Sequence, residues 1–156
     1  MEWDWNRDDW IEIGTLPYGV LSLIRPDCLA EHASTVWARP MSLERHLRRG
    51  AFDRLGVADA YYDQFPATIG EPAYVCNHKD GTVNAMRRVD PPRHDDDRDW
   101  YLVICFSIAM SADYRSFIRT MFIRPRIDAL LQKSGVYWPE PPDSAFGTQQ
   151  GRRIRR

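Results

Sequence analysis

Between Tyr101 and Met110 the chain runs Tyr-Leu-Val-Ile-Cys-Phe-Ser-Ile-Ala-Met, its longest apolar stretch. That is well short of the roughly 20 residues a helix needs to cross a bilayer, and it matches the length of a buried strand. Apolar side chains fill both alternations from Trp100 to Ala109. A strand there has to be covered on both faces, which makes it central in a sheet. The remaining segments are read as its surroundings.

At 156 residues the chain is long enough for one domain with a sizeable core. A hydrophobic share of 44% against 28% charged excludes a disordered chain. Residues 10–25 read as a β-hairpin, with Trp10-Ile-Glu-Ile and Gly19-Val-Leu-Ser-Leu-Ile flanking Gly14-Thr-Leu-Pro-Tyr. Pro26 opens a helix carrying Leu29, Ala33, Val36 and Trp37, which ends at Pro40. Ser42 caps a second helix with Leu43, Leu47, Ala51 and Leu55 on one side, ended by Gly56. A short helical turn over 57–65 stops at Pro66.

The second half reads as a meander. Ala73–Cys76 and Thr82–Val89 pair across a loop holding the Asp80-Gly81 step, and the central strand comes next. Ser111 then caps a long helix whose buried stripe is Tyr114, Phe117, Ile118 and Met121. Pro125 interrupts that helix, and Ile127, Leu130 and Leu131 continue its apolar side to Gly135. The expected class is α+β: an antiparallel sheet of about five strands, two hairpins plus the central strand, with helices mainly on one face, in the order ββ-αα-βββ-α. Residues 1–140 form the single domain, and 141–156 a Pro-rich, then basic, flexible tail.

Cys28, Cys76 and Cys105 are odd in number and lie in no Cys-x-x-Cys pair, so neither a disulfide framework nor a zinc ribbon is expected. The acidic, aromatic start is the opposite of a signal peptide's charge pattern. With no membrane span either, the expected location is the cytoplasm, with reduced thiols.

Reactive side chains are scattered. His94-Asp95-Asp96-Asp97, with Asp90 and Asp99 nearby, has the residue types for a divalent metal that activates water, and Cys76 and His78 are possible additional ligands. Arg93 and Arg98 compete for those carboxylates, so a solvated charged loop is the simpler reading, and no cofactor or metal is assigned. Cys28 and His32 share one side of the first predicted helix, but two ligands do not make a zinc site. His46 lies beside the Leu43/Leu47 stripe and reads as a boundary residue. No Gly-x-Ser-x-Gly or glycine-rich phosphate loop occurs.

Two other patterns point to binding. Trp3, Trp5 and Trp10, half of the six tryptophans, fall within ten residues that also hold Asp4, Asp8 and Asp9. Rings supply contact energy and carboxylates supply steering, so these six residues are the expected partner-binding surface; the competing reading folds Trp3 and Trp5 back onto the sheet. Arginine accounts for every basic residue except Lys79 and Lys133. Arg115 and Arg119, aligned with Arg126 on the predicted long helix, Arg45, Arg48 and Arg49 on an earlier one, and Arg152, Arg153, Arg155 and Arg156 at the end are candidate nucleic-acid contacts. The net charge of −1 weighs against that use of them.

The leading expectation is therefore a small non-catalytic module of bacterial type that binds another protein and acts by occlusion, as a toxin-neutralising immunity protein or an inhibitor of a defence system does. The alternatives are a metal-dependent hydrolase using His94, Asp95 and Asp97, and a nucleic-acid accessory protein using its arginines.

Overall fold

The computed structural model describes residues 3–48, 54–78, 80–134 and 137–139. Ala51, Arg49, Lys79, Gly135 and the tail over 141–156, with Arg152, Arg153, Arg155 and Arg156, lie outside the described residues. In chain order the elements are β1 (Ile11–Thr15), α1 (Val20–Ile24), a 3-10 turn (Glu31–Ser34), β2 (Thr35–Ala38), α2 (Pro40–Leu47), α3 (Arg54–Tyr61), a second 3-10 turn (Tyr62–Gln64) and α4 (Phe65–Gly70). After these come β3 (Tyr74–Asn77), β4 (Val83–Val89), β5 (Trp100–Ser107), β6 (Ser116–Arg124), α5 (Asp128–Ser134) and β7 (Tyr137–Trp138). The class is mixed α+β.

The strands form one sheet in the order β1-β2-β6-β5-β4-β3-β7. The expected five antiparallel strands thus become seven, and one neighbouring pair, β2 with β6, runs parallel. As anticipated, β5 is interior: it pairs with β4 along its whole length and with β6 on the other side. Leu102, Ile104 and Phe106 on one face and Val103 on the other are fully buried.

The expected elements are corrected at four places, and β7 (Tyr137–Trp138) adds a further strand at the sheet edge. Residues 20–24 are helical because Val20, Leu21 and Ile24 bury one helical side, and Gly19 turns the chain in with φ +81°. Residues 35–38, expected to end a helix, are strand β2: Val36 and Ala38 point into the core while Trp37 points the other way. Residues 116–124, expected to be helical, are strand β6. Cys105 faces Thr120 whereas Phe106 faces Ile118, leaving Arg119 as an extra residue. That bulge shifts the alternation, so Ile118 and Met121, three apart, both face the core and imitate a helical stripe. Finally, Pro66 sits in the first turn of α4 instead of ending a helix, α2 begins at Pro40 instead of after a Ser42 cap, and Gly56 lies inside α3.

The main core lies on one face of the sheet. Val20, Leu21 and Ile24 of α1, Leu43 and Leu47 of α2, Ala58 of α3, and Phe65 and Ile69 of α4 pack there against Val36, Val75, Val83, Ala85, Leu102, Ile104, Phe106, Ile118 and Met121. Gly14 in β1 allows α4 its close approach, since a Cβ there would stand 3.2 Å from the Pro66 carbonyl oxygen and 3.3 Å from Ile69 Cβ. On the opposite face a smaller core gathers Cys76, Met86 and Val103 under Ile127 and Leu131, with Tyr137 beside them. This second core covers the β3–β5 half of that face. The half built from β1, β2 and β6 is left more open.

Candidate functional site

The N-terminal segment separates into two parts. Trp3 packs edge-on against Trp5 (5.2 Å between centroids) and against Phe65 of α4 (5.5 Å). The Trp5 Nε1 donates to Asp59 Oδ1 at 2.6 Å. Both rings are half-buried against the main core. The acids beside them are engaged locally. Asp4 accepts from the Asn6 amide (2.9 Å), Asp9 takes Arg7 in a two-pronged contact (2.7 and 3.0 Å), and Asp8 pairs with Arg39 (3.0 Å). The Arg39 Nε also donates to the Asp8 carbonyl, and the Met41 amide to that of Arg7. In the structure, Trp3, Trp5 and Asp8 fasten the segment to α4, α3 and the start of α2, while Asp4 and Asp9 are engaged within the segment itself.

Trp10 belongs to a different environment. Trp10, immediately before β1, and Glu12 within it, Trp37 of β2, Arg115 immediately before β6, and Phe117 and Arg119 within it alternate onto the more open face. The Arg115 guanidinium lies 4.5 Å above the Trp37 ring and 5.6 Å above Trp10, and Trp10 meets Phe117 at 5.8 Å. Arg119 is exposed on the same face and reaches Ser107 Oγ at 3.4 Å. Trp10 and Phe117 together form a wall between two clefts. One holds Arg39, Ser42, His46 and Arg119, with a volume of about 470 Å³. The other holds Ile108, Met110, Asp113, Tyr114 and Arg115, with a volume of about 390 Å³. Both fall within the range of small-ligand sites, roughly 300–1,000 Å³.

No family model, curated protein or solved structure matches this chain.

The open face brings together residues that the sequence had assigned to separate readings: Trp10 to a protein contact, Arg115 and Arg119 to nucleic acid. It adds Trp37, Phe117, Arg39 and His46, which sequence reasoning missed. Trp37 and Phe117 had been placed on buried helix stripes. A strand reading of Thr-Val-Trp-Ala and of Ser-Phe-Ile-Arg, with their alternation, would have put both on one sheet face. Arg126 does not join Arg115 and Arg119; it lies past Pro125, near Arg98 and Asp128.

The β4–β5 loop is held by its own ion pairs. Asp96 binds Arg98 (2.8 Å) and accepts from Trp100 Nε1 (3.0 Å), holding its carboxyl well below the usual carboxylate range, chiefly through the Arg98 contact. Asp95 meets Arg93 at 3.5 Å, and Asp99 meets Arg88 at 2.7 Å. His78 is turned to Asp80 within the β3–β4 loop (2.8 Å), and Cys76 is buried in the smaller core. Among the described residues no three His, Cys, Asp or Glu side chains gather as a metal site. Nor is there, among them, a helix long and apolar enough to cross a membrane.

Cys28 and His32 have a different task. The Cys28 thiol donates to the Ala109 carbonyl (3.4 Å) and His32 Nε2 to the Tyr114 carbonyl (2.8 Å). Ser116 Oγ, fully buried, donates to the Ala33 carbonyl (2.6 Å) and accepts from the Ala109 amide (3.0 Å). The β5–β6 loop is thereby pinned from behind, with Met110 and Tyr114 left exposed in front.

Proposed function

We propose that this protein binds single-stranded nucleic acid across the open face of its sheet. The observation that carries this reading is the Arg115 guanidinium lying over both Trp10 and Trp37, with Phe117 and Arg119 on the same face. Aromatic rings on a sheet offer stacking platforms to unpaired bases, and interleaved arginines meet the phosphates. Guanidinium is the weakly hydrated, planar cation suited to both contacts. Arg119, exposed in the second cleft, can meet a phosphate there beside Arg39. The net charge of −1 is compatible with this, because the field that matters to a strand is local to the groove.

Fluorescence anisotropy with short single-stranded RNA and DNA oligomers tests the reading. The wild type binds at low ionic strength, the affinity falls as salt rises, and Arg115→Ala with Arg119→Ala weakens it by roughly tenfold or more. Retention of full affinity by that double variant, or absence of binding at low salt, overturns it.

The second reading is a protein-binding module that acts by occlusion, as an immunity protein does. It is favoured by the position of Trp10 next to the exposed Asp8 and Asp9, since rings flanked by carboxylates resemble a protein hot spot with its polar rim. It predicts that immobilised protein captures one specific partner from host lysate after nuclease treatment, and that Trp10→Ala abolishes the capture.

A further inference from the structure

We infer that the apolar cleft beside Trp10 is a base pocket that selects guanine, with Asp113 reading its edge. This rests on the nucleic-acid reading and names the part of the strand that the cleft takes. The walls are Ile108, Met110, Tyr114, Phe117 and Trp10, which suit the flat faces of a base. Met110 and Tyr114 are 49% and 69% exposed, unusual for such large side chains on a loop whose backbone is fixed. Four hydrogen bonds fix it, from Cys28, His32 and the two made by Ser116. A surface held this firmly has already lost the freedom that binding would otherwise remove.

Within this apolar lining the one carboxylate is Asp113. Arg115 lines the same cleft, yet the two form no ion pair, because the guanidinium is drawn over Trp37 and Trp10. Among the described residues no hydrogen bond or ion pair engages the Asp113 side chain. An ionised carboxylate only accepts, through two oxygens set side by side. Guanine alone among the four RNA bases presents two adjacent donors, N1–H and the N2 amino group, on its Watson–Crick edge. Adenine and cytosine place a lone pair next to their amino group, and uracil sets its single N–H between two carbonyls; each would turn an acceptor towards a carboxylate oxygen. The cleft therefore matches guanine and disfavours the other three.

The test uses two heptamers of uridine, one with guanosine and one with adenosine at the central position, titrated against wild type and Asp113→Asn. Thermal melting confirms that the variant is folded, as its exposed loop position leads one to expect. The wild type should bind the guanosine oligomer roughly tenfold more tightly or better, the scale of a two-pronged base contact. Asp113→Asn should lose that preference, chiefly by binding the guanosine oligomer more weakly than the wild type does. Equal binding of both oligomers by the wild type, or a preference that survives in Asp113→Asn, overturns the guanine assignment and leaves the nucleic-acid reading standing. Failure of both oligomers to bind overturns the two together.

Discussion

Two halves of one sheet face are built from similar material and left in different states. On the β3–β5 half, Cys76, Met86 and Val103 are buried under Ile127 and under Leu131 of α5. On the half made by β1, β2 and β6, Trp10, Trp37 and Phe117 are large and apolar, but all three are only half-buried. Their cover is arginine: Arg115 across two rings, and Arg119 exposed beside them. A helix cover and a guanidinium cover differ physically. Leu131 gives up all contact with water and can contribute its full transfer free energy, whereas an arginine over a ring keeps its charge solvated and can leave the ring to a ligand. The first half is finished as structure; the second is equipped for exchange.

The comparison breaks most visibly if the covered half is opened. Leu131 is 1% exposed beneath the second face, so Leu131→Ala should cost about 2–5 kcal/mol, the usual range for such a truncation. Chemical denaturation measures it directly through the midpoint at constant slope. Binding by the folded fraction should be unchanged, because α5 does not line either cleft beside Trp10. A loss under about 1 kcal/mol would mean that α5 rests on the sheet without sealing it, and that the two halves differ less than their burial indicates.

The converse substitution sharpens the contrast. Trp10→Ala should weaken oligonucleotide binding by roughly tenfold, the cost of one lost stacking platform, while destabilising the fold less than Leu131→Ala does. A denaturation midpoint that falls as far as for Leu131→Ala would show that Trp10 supports the fold, as Trp3 and Trp5 do by packing against the core. The three tryptophans look alike in the sequence, and the difference between them comes from their downstream neighbours. Trp3 and Trp5 precede the paired acids and fold back onto Phe65 and Asp59; Trp10 stands immediately before β1 and shares its alternation.

That distinction shows how far the chain can be read without coordinates. The interior position of β5, the β3–β4 hairpin with Gly81 at φ +88°, and the apolar sides of α2 and α5 are direct consequences of local pattern. The open face is not, for two reasons. Its strands β2 and β6 carry irregular alternation: β2 has four residues, too few to establish a period, and the bulge at Arg119 converts a period of two into an apparent period of three. Its members also come from three separated strands and from α2, so only the β2–β6 parallel pairing unites Trp37 with Phe117. Arg115 and Arg119 were legible as a pair on one side, since residues four apart share a face in either kind of element. Their ring partners were not.

The smallest expected effect concerns two thiols. Cys76 and Cys105 face Asn84 from either side on the same surface of the sheet. Cys76 lies in the covered half at 1% exposure, and burial pushes its thiol up to about 12 from the usual value near 9. Cys105 stands at the boundary with the open half, is only partly buried, and is raised less, again mainly by burial. Because the thiolate is the reacting form, a small alkylating reagent at pH 8 should label Cys105 well ahead of Cys76, and mass spectrometry of the peptides resolves the two rates. The sign of the accompanying stability change is fixed. Cys76 stays protonated in the folded protein, so its contribution is complete below about pH 9 and declines towards pH 12 as the unfolded chain alone loses its proton. Cys76→Ala should remove that part of the alkaline decline. Equal labelling of both cysteines in the native protein would mean that the cover over β3–β5 opens as readily as the face beside it, and the two halves would then differ in composition but not in protection.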